Sequence, residues 1–360
     1  MNATLSHISA ARFWDAFGSI DVPARSLSIS SALRPPLAAS LELVGNLGIF
    51  PNNEDIHVLV SKQADRRSFR NLSCHSCDRA FPNGSFVEIT PGVAVCSPEL
   101  TYVQMANRLN MPQLSLFAMM LCGIYARDVN ATEELFQSGP VPRVQRRRRL
   151  YPRRPVASPQ SLRMFAQEIA SFPGSKKALA ALEFVLPRSR SPMESIAALC
   201  LTLPPRYGGY SYPRPFLNYP VYVDEAITPD VRKFNGTQPM EGALGRGSGK
   251  HVRYDEDGRP YYECDMVWPD KRLVVEYHGG PYHTGQESVH RDSLKANIFS
   301  ACGYTELVLT KETVFDGAKF ADFAVQLANR LGRRIRKMPD GFEAKRVELV
   351  RSLTVGYPLS

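Results

Sequence analysis

The period of the apolar positions changes several times along the chain. DIHVLVS (55–61) and FVEITPGVAV (86–95) are rich in β-branched residues, with a Pro-Gly break inside the second, and read as strands. HISAARFWDAFG (7–18) has a helical pattern. SPELTYVQMANRL (97–109) starts with Ser97 as a cap and Pro98 at the first helical position, then turns helical. The longest apolar run, LSLFAMMLCGIYA (114–126), is too short to cross a bilayer and reads as a buried helix.

A Pro/Arg-rich stretch, 131–160, interrupts the pattern and reads as a linker. Helical spacing returns in 161–172, 176–186 and 191–203, followed by strand-like LNYPVYVDE (217–225). The polar segment 226–260 contains GALGRGSGK. Its glycines lack the spacing and the strand-to-helix context of a phosphate loop, so it reads as a flexible insertion. A strand at 261–268, a tight turn, a strand at 272–277, a helix at 287–301, a strand at 304–310 and a basic-ended helix at 315–337 close the pattern. Strand, helix, strand in succession implies a right-handed parallel crossover. The expectation is an α/β chain with a smaller α+β domain at 1–130, the linker, a second domain at 161–337 and a tail at 338–360.

Charge adds a partner class. The chain carries 44 Lys+Arg against 35 Asp+Glu, a net charge of +9, which favours an anionic partner, nucleic acid first. RVQRRRRLYPRR (143–154) concentrates arginines without an acid. Arg146, Arg147, Arg148 and Arg149 are its candidate phosphate contacts, against the plainer reading of a solvated linker. Seven cysteines, an odd number in a long chain, fit a reduced, cytoplasmic setting. Cys74-His75-Ser76-Cys77 offers one end of a zinc site with no second pair, so ordinary thiols are expected there. The N-terminus shows no basic start followed by an apolar block, hence no signal peptide is expected.

The chemistry gathers in ECDMVWPDKRLVVEYHGGPYHTG (263–285). With Asp270-Lys271 as a two-residue turn, residue numbers across the hairpin sum to 541, and Asp265 faces Glu276. One face then carries Met266, Trp268, Leu273 and Val275. The other carries the two carboxylates, with Cβ atoms roughly 5 Å apart. Such a pair needs a shared proton or a cation. Oxygen ligands suit a hard ion, Mg²⁺ (or Mn²⁺). His278 projects on the same side as Glu276, and His283 follows the Gly279-Gly280 break.

Asp265, Glu276, Gly279, His283, Asp292 and the following YTELVLT, in that order, resemble the very short patch repair-like branch of the PD-(D/E)xK nuclease superfamily, over about 190–335. The superfamily's lysine position holds His278. The resemblance implies a restriction-endonuclease-like core, a mixed central sheet flanked by helices. It also implies metal-dependent cleavage of DNA. Asp265 and Glu276 would hold the ion with the Tyr277 carbonyl; His283, oriented by Asp292, would accept a proton; His278 would donate to the phosphate. More distantly, IHVLVS, FVEITPGVAV and SPELTYVQMA resemble antitoxin-like proteins of type IV abortive-infection systems, which implies a DNA- or partner-binding module, with a toxin or another defence protein as partner.

Several residues keep two readings. Ser191, Pro192 and Glu194 form a capping box, while the resembling nucleases carry a Glu on the first core helix that points at the metal. Asp292 suits a helix first turn by charge alone, or orients His283. Arg291 and Lys295 form either a basic stripe for phosphate or a solvated face. Two functions follow: a metal-dependent DNA endonuclease of defence or repair type, or a DNA-binding, antitoxin-like regulator on an inactive nuclease fold.

Overall fold

Strands form where β-branched residues alternate, and caps set where helices begin. The computed structural model describes residues 3–17, 25–26, 32–50, 54–127, 150–223, 252–279, 286–334, 337–355 and 357, with the backbone alone for 25–26 and 286–292. The chain divides into two units, 1–187 with 352–360, and 188–351.

The first unit contains β1 (Ala3–Leu5), α1 (His7–Ala16), β2 (Arg25–Ser26), α2 (Ala38–Gly45), β3 (Ile56–Val60), β4 (Leu72–Ser76), β5 (Phe86–Thr90), β6 (Val93–Cys96), α3 (Pro98–Met105), α4 (Met111–Leu121), β7 (Tyr125–Arg127), β8 (Leu150–Pro152), α5 (Pro159–Glu168) and α6 (Ser175–Ala181). Six strands make a mixed sheet in the order β2-β5-β6-β1-β3-β4. β1 runs parallel to β6 and β3 parallel to β4, while the other neighbours are antiparallel. Ser97 caps α3 by accepting the Leu100 N–H at 3.2 Å, with Pro98 in the first turn as expected. The apolar run 114–121 is buried in α4, and Asn110 and Gln113 cap that helix reciprocally.

The domain boundary falls later than the sequence suggests. The helices expected at the start of the second domain belong to the first unit, because they pack on α3 and α4. The Tyr102 hydroxyl donates to the Ala178 carbonyl at 2.9 Å, and Ser115 donates to the Ala181 carbonyl at 3.2 Å. Gly174, at φ +94°, lets the chain reach α3 closely: a Cβ there would sit 2.7 Å from the Val103 carbonyl oxygen. Arg153, part of the arginine run, is not a phosphate contact. It is buried and donates to the carbonyls of Trp14, Phe17 and Met120.

The second unit contains α7 (Pro192–Thr202), β9 (Phe216–Tyr222), β10 (Arg253–Tyr254), β11 (Pro260–Trp268), β12 (Leu273–His278), α8 (Gln286–Ala301), β13 (Thr305–Thr310), α9 (Lys311–Phe315), α10 (Gly317–Arg330) and the start of α11 (Phe342–Leu353). β11 is central to its sheet. β9 runs along one edge, and β10 and β12 occupy the two ends of the other. β12 and β13 are parallel over six residue pairs, with α8 between them in sequence. Ile298 and Phe299 of α8 pack with Val267, Val274 and Cys264 in the core. Residues 338–351 of the expected tail belong to this unit and 352–360 to the first; Arg346 donates to the Val314 carbonyl at 2.8 Å and lies 4.1 Å from the Phe320 ring centroid. The fold is thus mixed α/β, with two mixed sheets and helices. Among the described residues no helix is long and apolar enough to cross a membrane.

Candidate functional site

The hairpin keeps the expected register with a different turn. Met266, Val267 and Trp268 pair with Val275, Val274 and Leu273. Pro269–Lys271 form a 3₁₀ turn closed by Arg272 at φ +45°, so the loop has four residues. A two-residue and a four-residue loop share the same midpoint, hence the same sum of 541. Beyond Met266 the ladder stops. The Tyr277 N–H is taken at 2.8 Å by Oδ2 of Asp265. This bond ties the Asp265 carboxylate to the Glu276-Tyr277 step of the opposite strand.

Both acids are buried, Asp265 to 9% and Glu276 to 5% exposure. Burial, then the Glu276 carboxylate, pushes Asp265 up to about 7, with the Tyr277 N–H, Lys295 and Arg190 opposing. Burial also pushes Glu276 above an ordinary glutamate, with Lys295 opposing the shift. Of the shared proton or cation expected beside the pair, the chain itself supplies a cation: Lys295 Nζ stands 2.9 Å from Glu276 Oε1. Burial alone would pull this lysine down, but Glu276 overrides it and holds Lys295 well above its ordinary value, so it stays an ammonium. It lies within 5.7 Å and 5.3 Å of the ring centroids of Tyr262 and Phe299.

Lys295 is therefore a correction to the sequence reading. It is a buried core residue of the acid cluster and not half of a solvent-facing phosphate stripe. The signal was present in the chain: Lys295 shares the i, i+3, i+4, i+7 register of Ile298, Phe299 and Cys302, the apolar face of α8.

Glu194 forms the expected capping arrangement in part. Ser191 Oγ accepts the Glu194 N–H at 3.1 Å, an N-cap, and donates to Glu194 Oε1 at 3.1 Å. Glu194 Oε2 does not close the capping box on Ser191. It reaches one residue further back, to the Arg190 N–H at 2.8 Å, and takes Asn218 Nδ2 at 3.0 Å. Asn218 adopts φ +45°, and the same Nδ2 donates to the Arg188 carbonyl at 2.9 Å. Burial, then Asp265, pushes Glu194 up to about 8. The Tyr277 hydroxyl is buried with no hydrogen-bond partner among the described residues, and it is raised by burial, Glu194 and Asp265.

A second acid was missed by the sequence reading. Glu263 is buried to 6% and pairs with Arg190 and, at 2.6 Å, with Arg253, while Arg188 stands at 3.9 Å. Arg188, Arg190 and Arg253 thus form a partly exposed cationic rim on the unit that holds the acids.

Of the remaining expected residues, His278 ends β12 and is partly exposed. Arg291 and Asp292 lie on α8, and their side chains fall outside the described ones. His283 and Arg146–Arg149 lie outside the described residues. Among the described residues no three His, Cys, Asp or Glu side chains stand as a ready metal-binding group, the Cys74–Cys77 motif included. No protein-family model, curated protein or solved structure matches this chain.

Proposed function

We propose that the second unit is a restriction-endonuclease-like core and that the protein is a metal-dependent DNA endonuclease of defence or repair type. The observation that carries this reading is the electrostatic coupling of three buried acids, Glu276 acting on Asp265 and Asp265 on Glu194, with Lys295 the one buried ammonium among the described residues in ion-pair contact with them. Lys295 offsets Glu276. Asp265 raises Glu194, and Glu276 raises Asp265 against the opposing pull of Lys295 and Arg190. The donor set is all oxygen, which fits Mg²⁺ or Mn²⁺ held by Asp265 and Glu276 with the Tyr277 carbonyl.

When bound, such an ion supplies an acidified water and positive charge for a phosphoryl oxygen. The chain's own residues do the rest. The Tyr277 N–H fixes Asp265, and Lys295 fixes Glu276. Because Lys295 stays charged, it serves as an electrostatic donor and not as a base. It takes the place that the superfamily pattern gives to the position of His278. His283, with Asp292, remains the proposed proton acceptor. Arg188, Arg190 and Arg253 offer contacts for the DNA backbone. The first unit is proposed as the partner- or DNA-binding module.

A second reading has its own support. Lys295 already compensates Glu276 without an ion, as a retained but inactive site would require. This protein would then be a DNA-binding, antitoxin-like regulator. Calorimetric titration with Mn²⁺ separates the two. A single-site heat that Asp265→Asn removes supports the endonuclease, and salt-sensitive DNA binding with no Mn²⁺ heat supports the regulator.

A further inference from the structure

Three histidines from separate segments meet in the first unit. His57 Nδ1 and His75 Nε2 share a hydrogen bond of 2.8 Å. The His7 ring lies against His75, with centroids 3.9 Å apart and planes tilted by 30°. His7 adopts φ +49°, a conformation disfavoured for a residue with a Cβ, and is pinned there by its N–H donating to Gln104 Oε1 at 2.9 Å. His7 and His75 line a cavity of about 300 Å³, within the size range of small-ligand sites. Arg66, Asn107 and Cys77 continue its polar wall, and Leu100, Val103, Phe81 and Phe172 form its apolar wall. No carboxylate is among its described lining residues.

The arrangement does not suit a metal. His7 and His75 present ring faces to each other, and the His57–His75 hydrogen bond uses a lone pair that a metal would need. The charge around the histidines is cationic instead. Arg108 acts on all three and Arg66 on His75, while among the described residues the acid Asp55 acts on His57.

We propose that this cavity binds a small anion carrying a flat ring, of the size of a nucleoside monophosphate, with its charge at Arg66 and His75 and its ring at Phe81 and Phe172. Arg66, the one cationic side chain among the described lining residues, faces no acid across the cavity and selects negative charge. The aromatic and aliphatic wall selects an apolar ring. Binding is coupled to a proton. Burial, then His57, Arg108 and Arg66, hold His75 down at about 4, so it is neutral in the free protein at pH 7. An anion placed against it reverses that balance, and His75 takes up a proton as the ligand enters. Affinity therefore rises as pH falls from 7.

The experiment is calorimetric titration of the full chain with adenosine and uridine monophosphates, inorganic phosphate and adenosine. It is run near pH 7.5 and near pH 6, in buffers of differing ionisation heat. The expected result is binding of a monophosphate, tighter at the lower pH, with proton uptake visible in the buffer dependence. Phosphate and adenosine alone should each bind about tenfold or more weaker. Arg66→Ala, at an exposed position, should weaken the monophosphate by a similar factor. His75→Asn, checked for folding by thermal melt, should remove the proton uptake. No binding of either monophosphate, pH-independent binding, phosphate as tight as the nucleotide, or an unaffected Arg66→Ala would each overturn the proposal.

Discussion

Lys295 Nζ lies 2.9 Å from Glu276 Oε1, and both side chains are only 6% exposed. A buried ion pair contributes little net stability, yet breaking one side of it is costly, since the survivor is left charged and unpaired. Lys295→Met should therefore destabilise the second unit by about 3–5 kcal/mol in urea denaturation. Lys295→Met with Glu276→Gln should recover much of that loss. A double variant as unstable as the single one would show that packing of the lysine stem, and not its charge, holds this corner.

Asp265 behaves in the opposite way. Its folded value is raised from 3.8 to about 7, and that of Glu194 from 4.5 to about 8. A carboxyl raised on folding contributes stability that is fully present below its unfolded value and is lost as pH climbs through the folded one. The second unit should thus lose stability between about pH 4 and pH 8. Asp265→Asn keeps an oxygen for the Tyr277 N–H and should flatten that slope while leaving the melting temperature at neutral pH equal or higher. A steeper slope in the variant would contradict the assignment.

The first unit should show the reverse dependence. His7 is lowered from 6.5 to about 2 by burial, then by His75, Arg108 and His57, and His75 from 6.5 to about 4. For a histidine depressed on folding, the stability is present above 6.5 and fades as pH falls towards the folded value. Hydrogen exchange of β3 and β4 amides, followed from pH 7 to about pH 4, should report weakening protection, and His75→Asn should blunt the trend.

Arg153 makes a prediction free of any functional reading. Its guanidinium serves three main-chain carbonyls, of Trp14, Phe17 and Met120. Arg153→Ala leaves buried acceptors unmatched and should cost at least about 3 kcal/mol. Arg153→Lys should rescue it poorly, since an ammonium cannot reproduce the planar fork. Full rescue by lysine would mean that charge alone is needed.

The hairpin was legible in the chain because period-two alternation and a symmetric loop fix register, whatever the turn type. Hence Asp265 was correctly placed opposite the Glu276 end of β12 although the turn, Pro269–Lys271 closed by Arg272, was read too short. The parallel β12–β13 pair was legible from strand, helix, strand. Lys295 was misread because charge was weighed before its helical register with Ile298 and Phe299. The unit boundary was misplaced because the Pro/Arg-rich stretch looks like a linker, while the packing of α5 and α6 on α3 leaves no trace in local pattern. The His7–His57–His75 cluster was not legible at all. It depends on β1 pairing with β3 and β3 with β4, an order that no local signal carries. The buried role of Glu263 likewise needs Arg253 of the neighbouring strand and Arg190, which comes from a segment distant in sequence.

The central claim is that the acids beside Lys295 cut DNA with a divalent ion. The direct measurement is nicking of supercoiled plasmid and of mismatched duplex by the purified protein, with Mg²⁺, with Mn²⁺ and with chelator. The account predicts ion-dependent cleavage by the wild type, abolished by Asp265→Asn although that variant stays folded. Background-level cleavage by wild type and Asp265→Asn alike, on every substrate and with either ion, would contradict it.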